Sequence, residues 1–180
     1  MPNILCMLNL KENEIMARQS LSIAVLTISD TRTIENDTSG DLLKQLLEHA
    51  GHQLRARAIV KDDLYQIRKV LSDWIADDEV SVILTTGGTG FTTRDSTPEA
   101  VKVLLDKEIV GFGELFRQLS YEQVGSSTIQ SRALAGIANK TVIFALPGSN
   151  NACQTAWQGI IETQLDSTFK PCNFVGQLAR

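Results

Sequence analysis

Short, almost entirely apolar strands alternate with amphipathic helical stretches along this chain, and that alternation limits the fold more than any other feature. β-rich runs occupy residues 23–28, 54–60 and 141–146, and the run SVILTT at 81–86 lacks a polar face. Strands of this kind are typical of parallel sheets that helices cover on both sides. The sequence therefore predicts an α/β fold with a mostly parallel sheet and right-handed crossovers. In such sheets, ligands bind beyond the carboxyl ends of the strands.

Local signals mark where several helices begin and end. Thr38 followed by Asp41 predicts a capping box, and Gly51 predicts the end of the same helix. Thr97 is expected to cap a later helix whose first turn contains Pro98. These signals place the intervening loops directly after the strands.

The second half of the chain has a helical face and a less regular excursion. Residues 126–141 are expected to form a hairpin or a strand, with turns at Gly136 and Asn139. Helical spacing predicts a buried face formed by Phe112, Leu115, Phe116 and Leu119.

The length and charge of the chain limit its domain count and its partners. At 180 residues it suits one domain, at 21–166, between an N-terminal tail at 1–20 and a C-terminal extension at 167–180. A net charge of -4 argues against nucleic acid as a partner. Three cysteines without C-x-x-C spacing indicate neither a disulfide framework nor a zinc cluster, which fits a reducing cytoplasm. No stretch of the sequence is long and apolar enough for a membrane span.

A glycine-rich loop follows the buried strand at 81–86. Gly87, Gly88, Thr89 and Gly90 allow backbone N–H groups to approach an anion closely and permit positive φ. The loop is neither a Walker A loop nor G-x-G-x-x-G, because the latter pattern fails at Thr93. It predicts a phosphate-binding loop, and the alternative is a tight turn that needs flexible residues.

A second loop of this kind closes the strand at 141–146. Pro147, Gly148 and Ser149 precede a helix and predict a second backbone anion site, with Ser149 as cap or hydroxyl donor. Ser29 and Asp30 follow the first strand and are expected to line the same crevice, although turn formation explains them equally well.

Two carboxylates that follow strands are candidates for binding a metal ion. Asp95 is a candidate ligand for Mg²⁺ that bridges phosphate oxygens, and Arg94 for the phosphate itself. Asp62 is a second candidate at the end of the strand at 54–60. The alternatives are a surface ion pair between Arg94 and Asp95 and helix capping by Asp62 or Asp63.

These motifs resemble one family in their order and spacing. The segments TTGGTGFTTRDSTPEA, GFGELFRQLS, SRALAG and LPGSNNAC resemble the MoaB/MogA family of molybdenum cofactor biosynthesis, and DTSG, AIVKDD and PCNF are most similar to its MoaB branch. The resemblance covers roughly residues 22–165. It implies a three-layer α/β/α molybdopterin-binding fold that assembles as trimers or hexamers. It also implies binding of molybdopterin and its adenylylation with Mg-ATP, with release of pyrophosphate.

The resemblance also implies roles for individual residues. Asp62 and Asp95 match the family's acidic positions, which are the catalytic and metal-binding candidates, and the two glycine loops match its phosphate and pterin loops. Glu114, Ser131 and Arg132 fall on motif positions and are expected to bind substrate, whereas their residue types alone indicate solvated surface. The chain departs from many adenylylating members at Lys61 and Asn150, where those members have proline.

Two other functions are also compatible with the sequence. One is a non-catalytic binder of the pterin or a nucleotide, which would protect or deliver the intermediate. The other is a flavodoxin-like module, because a Ser/Thr-rich SDTRT loop follows the first strand. An aromatic content of 6% argues against a stacked flavin.

Overall fold

The computed structural model describes residues 18–178, and its centre is a six-stranded sheet. The strands are β1 Ser22–Ile28, β2 Gln53–Val60, β3 Val82–Thr86, β4 Lys107–Glu108, β5 Leu134–Ala138 and β6 Thr141–Leu146. Their order in the sheet is β2-β1-β3-β6-β5-β4. The first four strands in this order are parallel, whereas β5 and β4 run antiparallel to their neighbours. The predicted α/β fold with a mostly parallel sheet is confirmed.

Helices connect the strands and cover the sheet. The α-helices are α1 Thr38–His49, α2 Leu64–Ala76, α3 Thr97–Lys102, α4 Val110–Val124, α5 Asn150–Ala156 and α6 Glu162–Gln164. A 3₁₀ turn at Gly125–Gln130 extends α4, a π-helical turn at Trp157–Ile161 joins α5 to α6, and a second 3₁₀ turn lies at Val175–Gln177.

Two separate apolar cores pack on the two faces of the sheet. Successive side chains of a strand point to opposite faces, so Val25 of β1 joins one core and Leu26 the other. The core that contains Val25 is closed by α1, α4 and α5, through residues such as Leu43, Phe116 and Cys153. The second core is closed by α2 and α3. The central strands β1, β3 and β6 therefore need apolar residues at nearly every position, which explains their lack of a polar face.

Two predicted helix caps are wrong by one residue. Asp37, not Thr38, caps α1, because its carboxylate accepts a hydrogen bond from the backbone N–H of Gly40. The residue before α3 is Ser96, and Thr97 is already helical. The Thr97 hydroxyl instead donates to the carbonyl of Gly87, so a tertiary contact has replaced the local cap. Asp63 caps α2, as one of the open alternatives had it.

The excursion at 126–141 contains a hairpin, but only one of its predicted turns. Asn139 and Lys140 have φ of 46° and 65° and connect β5 to β6, as expected for a two-residue hairpin loop. Gly136 lies inside β5, not in a turn, and a side chain there would overlap Leu105. On α4, Phe112 and Phe116 are buried as predicted, whereas Leu115 is 41% exposed.

The two ends of the described segment pack together. Arg18 pairs with Asp166 at 2.8 Å, and the side chains of Val175 and Leu178, which lie in the predicted C-terminal extension, belong to the core that contains Val25. Most of the predicted N-terminal tail lies outside the described residues. None of the helices between residues 18 and 178 combines the length and the apolarity that a membrane crossing requires.

Candidate functional site

The two glycine loops lie side by side at the carboxyl ends of β3 and β6. These strands are neighbours and parallel, so both loops leave the sheet at the same edge. The Gly87 N–H donates to the carbonyl of Leu146 at 3.0 Å, and the Thr86 hydroxyl donates to the carbonyl of Pro147 at 3.0 Å. A β-carbon on Gly148 would lie 3.3 Å from the Cα of Gly87. The backbones of the two loops are therefore in direct contact.

Glycine is required at the first two positions of the loop after β3. Gly87 has a φ of 106°, and a β-carbon there would overlap the carbonyl oxygen of Ile28. Gly88 has a φ of 64°, and a β-carbon there would overlap the Thr97 hydroxyl and lie 2.5 Å from Oδ2 of Asp62. Side chains rarely adopt such φ values, so only glycine fits this approach of the loop to its surroundings.

Both loops line one cavity of about 340 Å³. Gly87, Gly88, Thr89 and Gly90 form one wall with Asp95, and Pro147, Gly148 and Ser149 form the adjacent wall. The Ser149 hydroxyl accepts a hydrogen bond from the N–H of Ala152 at 3.2 Å and so caps α5. A helix N-terminus and two stretches of glycine-rich backbone thus border the same space, an arrangement that favours an anionic ligand.

The opposite wall of the cavity comes from the end of α4 and the 3₁₀ turn that follows. Sequence reasoning missed these residues. Ser120 carried a usable signal, because it continues the four-residue spacing of Phe112 and Phe116 with a small polar side chain. The 3₁₀ turn carries no such periodicity. The polar residues of this wall that were not predicted are Ser120, Gln123, Ser127, Thr128 and Gln130.

Asp62 lies behind the glycine loop. Its Oδ1 accepts hydrogen bonds from the N–H of Ser96 at 3.0 Å and from the Ser96 hydroxyl at 2.6 Å. Its Oδ2 would lie 2.5 Å from a β-carbon on Gly88. Asp62 therefore connects the end of β2 with the glycine loop and the start of α3.

Asp95 lies beside Gly90 at the end of the glycine loop. Its Oδ2 accepts hydrogen bonds from the backbone N–H and the hydroxyl of Thr92, at 2.8 and 2.6 Å. Burial alone would raise the pKa of Asp95, but the hydrogen bonds from Thr92 and from the Gly90 N–H, with the charge of Arg132, lower it below its usual value. Asp95 is therefore ionised at neutral pH and lines the cavity.

Asp30 and Arg94 form an ion pair beside this site. Two nitrogens of the guanidinium donate to the carboxylate, at 2.7 and 3.1 Å, and Oδ1 of Asp30 also accepts from the N–H of Asp62 at 3.3 Å. Ser29 accepts hydrogen bonds from the N–H groups of Thr31 and Arg32 and so holds its turn. Ser29 and Asp30 line a neighbouring depression of about 460 Å³ rather than the cavity between the glycine loops.

The remaining predicted residues lie around α4 and the approach to β5. Ser131 lines the cavity, and it also lines a second cavity of about 510 Å³ with Arg132. The Arg132 guanidinium contacts the carbonyl oxygens of Gly90 and Asp95. Glu114 is exposed on α4 and lines none of these cavities.

A buried ion pair fixes the loop that precedes α1. Asp37 is fully buried, and its carboxylate accepts hydrogen bonds from the Thr27 hydroxyl at 2.7 Å and from Arg57 at 2.8 Å. Burial would raise the pKa of Asp37, but these hydrogen bonds and the guanidinium charge outweigh it and lower the pKa. The hydroxyl of the next residue, Thr38, donates a hydrogen bond to Oδ1 of Asn150 at 3.2 Å. The start of α1 therefore also contacts the start of α5, beside the second glycine loop.

In the part of the chain that the structure describes, acidic groups lie too far apart to form a metal site from protein side chains alone. Between residues 18 and 178, no three His, Cys, Asp or Glu side chains are close enough together to hold a metal ion. Mg²⁺ in nucleotide sites is usually held by one or two carboxylates plus substrate phosphates and water. Asp62 and Asp95 provide two carboxylates, and a phosphorylated substrate would have to provide the other ligands.

Comparison with known proteins assigns the family. A family model described as a probable molybdopterin binding domain matches residues 24–167. The chain belongs to this family. Molybdenum cofactor biosynthesis protein B of Escherichia coli K12 is 56% identical to it over 152 residues, which cover 84% of this chain and 89% of that protein.

Solved structures agree with this assignment. A crystal structure of a molybdenum cofactor biosynthesis protein B has 48% sequence identity and a TM-score of 0.80, over 82% of this chain and 92% of the other. The tungsten cofactor synthesizing protein MoaB from Pyrococcus furiosus has 38% identity and a TM-score of 0.72, over 79% and 91%. The resemblance to the MoaB/MogA family and the fold that it implied are confirmed.

Proposed function

We propose that this chain acts in molybdenum cofactor biosynthesis, where it binds molybdopterin between its two glycine loops and adenylylates it with Mg-ATP. The observation that supports this most is that both loops border one cavity together with an ionised Asp95. The related proteins named above are proteins of molybdenum or tungsten cofactor synthesis. A single phosphate-binding turn would suit many ligands, whereas two adjacent turns suit a ligand with more than one anionic group.

The reaction transfers an adenylyl group between two phosphates. An oxygen of the pterin's terminal phosphate attacks the α-phosphorus of ATP, a new P–O bond forms, and the bond to the leaving pyrophosphate breaks. Backbone N–H groups of the Gly87–Gly90 loop and the N-terminus of α5 would stabilise the charge of the phosphates. No covalent intermediate with the protein is required.

Asp62 and Asp95 are the candidates for holding Mg²⁺ that arrives with the nucleotide. Both carboxylates lie against the glycine loop, Asp62 beside Gly88 and Asp95 beside Gly90. Each has one oxygen committed to hydrogen bonds with Ser96 or Thr92, which fixes the orientation of the carboxylate. Asp30 holds the Arg94 guanidinium through Nε and Nη2, so a substrate phosphate would have to bind Nη1 or displace Asp30.

The chain is also proposed to form a homo-oligomer, a trimer or a hexamer, in the cytoplasm. An assembly would cover apolar side chains that α4 and its extension leave exposed. These are Val110 at 60%, Leu115 at 41%, Tyr121 at 58%, Val124 at 49% and Ile129 at 69% exposed. The mass of the purified protein in solution, measured by light scattering, tests this directly.

Incubation of the purified protein with molybdopterin and Mg-ATP tests the function. We expect formation of adenylylated pterin with stoichiometric pyrophosphate, and loss of turnover in Asp95→Asn with molybdopterin binding largely retained. If saturable binding occurs without any turnover, in conditions where an active family member works, the chain is a binder and not an adenylyltransferase. The wild-type chain should be assayed first, because Lys61 and Asn150 stand where many adenylylating members have proline.

A further inference from the structure

Arg132 contacts the glycine loop from the side that faces away from the cavity. Its Nε donates to the carbonyl of Gly90 at 2.7 Å, and its Nη2 donates to the carbonyl of Asp95 at 3.0 Å. Its backbone N–H donates to the carbonyl of Thr89 at 3.0 Å. One residue therefore holds three carbonyl groups between Thr89 and Asp95, although it lies about forty residues further along the chain.

Other contacts hold the Arg132 side chain in place. Its Nη1 pairs with Glu99 on α3, and its guanidinium lies over the ring of Phe91, 5.1 Å from the centroid. The side chain is 23% exposed. All three guanidinium nitrogens have protein partners, and Arg132 lines the 510 Å³ cavity and not the cavity between the glycine loops.

The geometry of the peptide bond connects these contacts to the two acidic residues. In a trans peptide, the carbonyl and the following N–H point in opposite directions. The carbonyl of Asp95 faces Arg132, and the N–H of the same peptide, that of Ser96, donates to Asp62 at 3.0 Å. The carbonyl of Thr89 also faces Arg132, and the N–H of that peptide, that of Gly90, donates to the Asp95 carboxylate.

We propose that Arg132 is a positioning residue, which orients the peptide groups of the glycine loop so that their N–H groups hold Asp62 and Asp95 in place. It acts through the loop and does not touch the substrate. This inference rests on the proposed function for its kinetic consequences, whereas the effect on the loop is independent of that function.

Arg132→Lys is the informative variant. Lysine keeps the positive charge beside Glu99 and Phe91, but a single ammonium cannot reproduce the fork that contacts the carbonyls of Gly90 and Asp95. Arg117→Lys is a matched control, because Arg117 lines the same 510 Å³ cavity but donates to the carbonyl of Ala133.

Hydrogen exchange of the backbone amides provides a readout that does not depend on activity. We expect the amide of Ser96 to exchange about tenfold faster or more in Arg132→Lys, because the charge-assisted hydrogen bond to the carbonyl of the same peptide, that of Asp95, has been lost. Arg117→Lys should exchange at the wild-type rate. Glu99→Gln should also stay near the wild-type rate at this amide, because the contact to the Asp95 carbonyl remains.

The kinetic readout separates positioning from substrate binding. In the adenylylation assay, we expect kcat of Arg132→Lys to fall about tenfold or more, with KM for both substrates changed less than about threefold. A raised KM with unchanged exchange at Ser96 would mean that Arg132 binds substrate, which overturns the proposal. Wild-type exchange of the Ser96 amide in Arg132→Lys also overturns it. If the wild-type chain shows no adenylylation, the proposed function fails, and the exchange measurement alone decides the role of Arg132.

Discussion

Alanine at Gly88 should destabilise the protein more than alanine at a glycine with the same backbone strain but no close neighbours. Gly88 has a φ of 64°, and a β-carbon there would meet the Thr97 hydroxyl and Oδ2 of Asp62. Gly51 has a φ of 84°, and a β-carbon there would have nothing within 4 Å. The two substitutions therefore share the cost of a left-handed backbone and differ in the overlap.

The expected magnitudes follow from these two contributions. An alanine in the left-handed region costs about 1 kcal/mol, which is the whole effect expected for Gly51→Ala. Overlap with fixed neighbours adds about 1 to 3 kcal/mol, so Gly88→Ala should cost about 2 to 4 kcal/mol. For a chain of this size, about 2 to 4 °C of melting temperature is lost per kcal/mol. We expect a decrease of a few degrees for Gly51→Ala and roughly 5 to 15 °C for Gly88→Ala.

The assay combines calorimetric or fluorescence melting with equilibrium binding of molybdopterin. Gly51→Ala should bind as the wild type does, because Gly51 follows α1 and lines none of the cavities. Gly88→Ala should bind more weakly at temperatures where it is folded, since the loop must move away from Asp62. Equal losses of melting temperature in the two variants would refute the close packing of Gly88 against Asp62 and Thr97.

Three further predictions concern buried polar groups. Asp37→Asn should lower the free energy of unfolding by about 3 kcal/mol in urea titrations, because it removes one charge of a buried ion pair. Burial lowers the pKa of His52 below 6.5, so the unfolded state takes up the proton first, and stability should fall as pH drops below about 6.5. His52→Asn keeps an acceptor for the N–H of Leu21 and should reduce that pH dependence, and an identical pH profile would contradict the assignment. Burial raises the pKa of the Cys153 thiol to about 11, so a thiol reagent should label the exposed Cys172 and leave Cys153 unmodified until the protein unfolds.

The sheet and the two glycine loops were predictable because their signals are local. An apolar strand such as residues 82–86 must be buried on both faces. Three glycines among the four residues that follow it are more than a simple turn needs, which indicates a close approach of the backbone to another group. Parallel neighbouring strands then bring their loops to one edge of the sheet, which is how the two turns come to share a cavity. The shared cavity therefore follows from the order and direction of the strands, which a local sequence pattern does not contain.

The details that were missed depend on contacts between distant residues. Thr97 is a good cap by its residue type, but its hydroxyl is used by the carbonyl of Gly87, ten residues earlier. Asp37 caps α1 while it also pairs with Arg57 of β2, and neither partner is visible from the sequence around Thr38. The sequence indicated a substrate-binding or surface role for Arg132. Its contacts with the carbonyls of the glycine loop join residues about forty positions apart and are seen only in the folded structure.

A crystal structure with bound molybdopterin would show where the pterin phosphate lies. We expect the terminal phosphate in the 340 Å³ cavity, within hydrogen-bonding distance of backbone N–H groups from both glycine loops, with Asp95 beside it. A pterin phosphate bound instead in the 510 Å³ cavity on the far side of Arg132, with the glycine loops untouched, would contradict it.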